Sequence, residues 1–102
     1  MDIISAVALE LKIKSEQVKE TVALLDEGNT IPFIARYRKE RTGSLDETQI
    51  KAIQERVTYL RNLEARKEEV IRLIGDKLTP EIEESIKKAD SLQAVEDIYL
   101  PF

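Results

Sequence analysis

The 102-residue chain contains no histidine, no cysteine and no tryptophan. Without histidine, the side chain best matched to proton transfer near neutral pH is missing, and so is the commonest metal-ligating imidazole. Without cysteine there is no disulfide, no thiolate nucleophile and no thiolate zinc site, a composition compatible with a reducing cytoplasm. Ser5, Ser15, Ser44, Ser85 and Ser91 have no imidazole to activate them, and Ser15 and Ser44 read as helix caps. Glycine and proline number three each, too few and too scattered for a phosphate-cradling loop. The acidic residues Glu81, Glu83, Glu84 and Asp90 lack the alternating ligands and central glycine of a calcium loop. No cofactor, no metal and no catalytic activity are therefore expected. No apolar run approaches the length of a membrane span, and the start, MDIISAVALELK, lacks the basic segment and apolar core of a secretory signal. The expectation is an unexported, cytoplasmic protein with no membrane partner.

What is present is helical. Hydrophobic residues make up 42% and charged residues 35%, and most of the chain is Leu, Ile, Glu, Lys, Arg, Ala and Gln, which are good or fair helix formers. This length suits one small domain, with a modest core and no need of covalent staples. The predicted class is all-α, a small domain of about five or six helices around one long central helix. A helix-turn-helix-like front part (1–43) precedes the long helix and two short ones (44–102).

The elements follow from periodicity and end signals. Ile4, Val7, Ala8 and Leu11 share a face, predicting a helix over residues 2–11 that ends in a turn at residues 12–14. Ser15 is placed to cap a second helix with Val18, Val22 and Leu25 as its stripe and Gly28 at its end. Helix, turn and capped helix are the outline of a helix-turn-helix, and equally of any small bundle. Asn29 or Thr30 begins a third helix with Pro32 in its first turn, turning Ile31, Ile34 and Ala35 inward and Phe33 or Tyr37 to the flank. SLDE at residues 44–47 reads as a capping box opening a helix of about 30 residues, with a phase shift near residues 64–67 and a break near residues 61–64 as the alternative. Thr79 and Pro80 start the next helix, with Glu83 to Lys87 and Glu84 to Lys88 pairing along its surface. Asp90 with Gln93 starts the last, which Pro101 stops. The apolar ending IYLPF suggests the front piece of a longer protein.

Charge is unevenly spread. The chain carries 16 Lys and Arg against 20 Asp and Glu, a net of −4, which disfavours electrostatic coating of nucleic acid or an anionic membrane by the whole surface. Within residues 31–45, however, Arg36, Arg38, Lys39 and Arg41 face the single carboxylate of Glu40. Such a cluster serves either as an anion site or as an internal partner for nearby carboxylates. As an anion site it would use the forked guanidinium groups of Arg36, Arg38 and Arg41, the point charge of Lys39 and the ring of Tyr37 for stacking on a base.

The segment IPFIARYRKERTGSLDE, together with the ending VEDIYLPF, resembles the amino-terminal domain of the Tex-type bacterial transcription accessory proteins. The likeness spans nearly the whole chain, from ETVALLDEGNTIPFIARYRKERTG through the long charged helix to YLPF. It implies a non-catalytic helical module that opens a larger protein with a ribonuclease-H-like domain, helix-hairpin-helix elements and a terminal RNA-binding barrel. It further implies a role in transcription, with RNA or DNA bound by the full-length protein mainly through that barrel. The remaining domains of the same protein and the transcription machinery are the other implied partners. The alternative is a scaffold for intramolecular and protein–protein docking that touches no nucleic acid itself.

Overall fold

The computed structural model describes all 102 residues, and every regular element in it is helical. The order is α1 (Ile3–Leu11), α2 (Ser15–Asp26), α3 (Ile31–Tyr37), α4 (Lys39–Thr42), α5 (Glu47–Ile74), a 3-10 turn (Gly75–Lys77), α6 (Pro80–Lys88) and α7 (Leu92–Tyr99). The all-α class and the long central helix are as the sequence predicts. There are seven α-helices rather than five or six, because the basic segment breaks into α3 and α4 at Arg38, whose φ of −130° and ψ of 34° leave the helical region. No helix is long and apolar enough to cross a membrane.

Each boundary has a local cause. Asp2 caps α1 by accepting the Ser5 N–H, and Lys12 ends it in a left-handed conformation, φ 58°. The N-cap of α2 is Lys14, not Ser15, which is already the first helical residue; Gln17 reaches back to accept the Lys14 N–H at 3.4 Å. The α2 end is a Schellman turn, with Asn29 N–H donating to Leu24 O at 3.3 Å and Gly28 N–H to Leu25 O at 3.0 Å. The capping box of α5 starts two residues later than the SLDE reading, at Asp46. Asp46 and Gln49 exchange backbone-to-side-chain bonds of 2.8 and 3.0 Å, while Ser44 sits at φ 66°, outside the extended conformation that an N-cap requires. Likewise Ser91, not Asp90, caps α7 by accepting the Ala94 N–H at 3.1 Å, and Gln93 turns to Asp97 instead.

Two compact units are present, Met1–Leu60 and Arg61–Phe102. The first buries Val7, Val18, Leu24, Ile34, Ile50 and Ile53 almost completely, each such side chain contributing about 1.5–3 kcal/mol. Leu24, rather than Leu25, is the deeply buried leucine of α2. Leu45, just before the Asp46 cap, and Ile50, four residues after it, are both buried, the positions of a hydrophobic staple. The second unit buries Leu63, Val70, Ile74, Ile86 and Val95. Helix α5 runs unbroken through residues 61–64. The apparent phase shift is Lys67, which occupies a core position of the series Leu63, Lys67, Val70, Ile74 with 4% of its surface exposed. Its ammonium donates to the Lys87 carbonyl at 2.9 Å and lies 3.4 Å from Glu64, so one side chain closes the end of α6 and meets the demand that a buried charge be partnered.

Candidate nucleic-acid interface

The basic segment is held out from the first unit by its own apolar residues. Thr30 caps α3, accepting the Phe33 N–H at 3.3 Å, and Pro32 sits in the first turn where no intrahelical donor is lost. Ile34 and Ala35 are buried; helical spacing then turns Arg36 and Tyr37 outward. The chain bends at Arg38, resumes as α4 and closes at Gly43, φ 68°. This corner is clamped from α2, where Gln17 Nε2 donates to the carbonyls of Thr42 at 2.9 Å and Gly43 at 3.2 Å. Thr42 is itself fully buried and accepts the Leu45 N–H at 3.3 Å.

The four cations part ways. Arg41 is an internal partner, its Nε donating to Glu20 of α2 at 3.2 Å with both side chains about one-third exposed (34% and 31%). Arg36, Arg38 and Lys39 form no ion pair. The Arg38 guanidinium lies 4.9 Å from the Phe33 ring centroid and donates to the Tyr37 carbonyl at 2.9 Å. Arg36 lies 5.4 Å from the Tyr37 centroid, and the two rings are 5.3 Å apart at 48°. Cation and ring thus alternate from Arg36 through Tyr37 and Phe33 to Arg38, an arrangement that holds forked donors in place without neutralising them. Phe33 is partly buried, whereas Tyr37 is 54% exposed. Arg36 and Lys39 also line an open depression of about 290 Å³ with Ala35, Asp46 and Glu47. Those two carboxylates temper the local positive potential, although one Asp46 oxygen is already committed to the Gln49 N–H.

The ending VEDIYLPF is organised in the second unit by Arg66. Its guanidinium grips the Glu96 carboxylate with bonds of 3.0 Å from Nε and 2.7 Å from Nη2, also bonds Glu69, and lies 5.5 Å from the Tyr99 centroid. The Arg66 bonds hold the Glu96 carboxyl below its ordinary titration range, and Glu96 and Glu69 fix Arg66 still more firmly in its protonated form. The carboxylates of α6 serve the helix itself, Glu83 with Lys87 at 2.9 Å and Glu84 with Lys88 at 3.3 Å. No group of three or more His, Cys, Asp or Glu converges as a metal site. Sequence reasoning missed Gln17, Arg66 and Lys67. Only Lys67 left a trace, as a charge in an otherwise apolar helical series.

These features describe a helical module in which Arg36, Arg38 and Lys39 form an unpaired cationic surface at the corner between α3 and α4. The chain belongs to the Tex-like protein N-terminal domain family, whose model matches residues 1–75. It is 52% identical over 98 residues to the uncharacterized protein YdcI of Bacillus subtilis (strain 168), covering 94% of this chain and 14% of that protein. It is 45% identical over 104 residues to the transcriptional accessory protein Tex of Neisseria gonorrhoeae, covering 100% of this chain and 14% of that one. A shorter match, 35% over 60 residues, joins it to the S1 RNA-binding domain-containing protein 1 of Pongo abelii, covering 59% of this chain and 6% of that protein. The chain spans about one seventh of the length of the first two relatives. It is a module of the transcription accessory type.

Proposed function

We propose that this module takes part in transcription without catalysing a reaction, and that its α3–α4 corner contacts RNA or DNA held by the full-length protein in the cytoplasm. The observation that carries the reading is that Arg36, Arg38 and Lys39 project from an acidic chain with no carboxylate partner, beside the exposed ring of Tyr37. Phosphates are the natural counter-ions for such a set, and with at most three of them neutralised the contact is weak and salt-sensitive, auxiliary to a stronger site elsewhere. The name of the Pongo abelii relative, which includes an S1 RNA-binding domain, is in keeping with this division of labour. The test is fluorescence anisotropy of labelled single-stranded RNA and duplex DNA with the chain and its Arg36→Glu, Arg38→Glu, Lys39→Glu variant; loss of binding in the variant supports the contact.

A second reading has its own observation. Arg41 is spent on Glu20, so one of the four cations already serves a protein carboxylate instead of a phosphate. Under this reading the same variant loses affinity for the remaining domains of the protein, or for the transcription machinery, and no nucleic-acid signal exists to lose.

A further inference from the structure

At the turn from α1 into α2, the first unit carries a second surface that the cationic corner does not explain. The end of α1 and the turn into α2 enclose an open depression of about 560 Å³, floored by Ala8 and Ile13 and edged by Leu9, Lys12 and Lys14. Leu9 is 84% exposed, more than any other large hydrophobic residue of the chain, and it borders the hollow beside Ala8 and Ile13. Lys12 holds φ 58° without being glycine, a conformation disfavoured for a side chain of this kind.

Charge decides what fits. The carboxylates nearest in sequence already have partners, Asp2 on Ser5 at the rim of the hollow and Glu10 on Arg56. Asp2 accepts from the Ser5 N–H and hydroxyl at 3.2 and 2.6 Å, and Glu10 pairs with Arg56 at 2.8 Å. Glu16 does not line the depression. Two unpaired ammonium groups therefore flank an apolar floor. We propose that this depression docks a polypeptide segment presenting one large apolar side chain flanked by carboxylates, such as one turn of an acidic amphipathic helix. The apolar side chain seats against Leu9 and Ile13, and the carboxylates meet Lys12 and Lys14, which set orientation and exclude basic partners.

The experiment is an NMR titration of the ¹⁵N-labelled 102-residue chain with a synthetic amphipathic helix bearing leucine on one face and glutamate on the other. The expected result is saturable shifts centred on Leu9, Lys12, Ile13 and Lys14. The Lys12→Glu, Lys14→Glu variant should bind about ten-fold more weakly. Leu9→Ser, on a side chain too exposed to matter for folding, should abolish saturation. Four results would overturn the proposal: no shifts at millimolar peptide, shifts centred elsewhere, equal shifts with a helix whose glutamates are replaced by lysines, or displacement of the peptide by a single-stranded oligonucleotide.

Discussion

Gln17 and Gly43 meet closely: the Gln17 amide donates to the Gly43 carbonyl at 3.2 Å, and a Cβ added at Gly43 would stand 2.5 Å from that same nitrogen and displace it. The left-handed φ of 68° adds a second demand for glycine. Gly43→Ala should therefore cost about 2–3 kcal/mol, combining the conformational penalty with a displaced clamp. Gly28 shares a positive φ, 93°, yet nothing lies within 4 Å of its added Cβ, so Gly28→Ala should cost only about 1 kcal/mol. Urea unfolding of the two variants gives the comparison, and equal losses would refute the clamp.

Lys12 offers the opposite sign. Its left-handed φ of 58° ends α1, with the Ile13 N–H returning to Ala8 O at 3.0 Å. Lys12→Gly should raise stability by about 0.5–1 kcal/mol in urea unfolding, and on the docking proposal it should weaken the acidic peptide while doing so.

Lys67 tests whether a buried charge or a buried stem matters more. Lys67→Ala removes both the packed methylenes and the bond to Lys87 O and should cost about 2–3 kcal/mol. Lys67→Met keeps most of the packed volume but leaves the Lys87 carbonyl and Glu64 without their partner, so it should recover only about 1 kcal/mol of the alanine loss. Thermal unfolding ranks the two, and a methionine variant as unstable as the alanine one would assign the effect to the hydrogen bond.

The Arg66–Glu96 pair sets a pH dependence. The folded Glu96 pKa lies below the ordinary value of 4.5, so the unfolded state binds the proton more readily. The contribution is present above the unfolded value and is lost as pH falls through the folded one. Melting temperatures of the chain and Glu96→Gln should differ at pH 7 and converge in the acid range below about pH 4. A gap that persisted unchanged at pH 3 would contradict the assignment.

How far the sequence could be read depended on whether a signal was local. Pro32 in the first turn of α3, with Asn29 or Thr30 as its start, Thr79 with Pro80, and the apolar series of α5 were legible because caps and periodicity act within one or two turns. The start of α5 was misplaced because two overlapping box patterns exist, at residues 44–47 and 46–49. The choice fell to Ser44, whose φ of 66° is set by the turn that follows α4. In the candidate site, nothing in IPFIARYRKERTG separates Arg41 from its neighbours. Its partner Glu20 lies 21 positions away on another helix, the Gln17 clamp spans 25 and 26 positions, and such contacts exist only once the chain has folded.

That difference sharpens the mutational test. Arg41→Glu sets two carboxylates face to face with Glu20 and should cost about 1 kcal/mol, so a variant including it confounds folding with binding. Arg36, Arg38 and Lys39 have no such partner, and reversing them should leave the urea midpoint nearly unchanged.

The most direct measurement is the salt dependence of single-stranded RNA binding, by anisotropy, for the chain and for its Arg36→Glu, Arg38→Glu, Lys39→Glu variant. Three phosphate contacts predict a slope of about −2 in log K against log salt, vanishing in the variant. Absence of binding at low salt, or an unchanged slope in the variant, would contradict nucleic-acid contact at the α3–α4 corner.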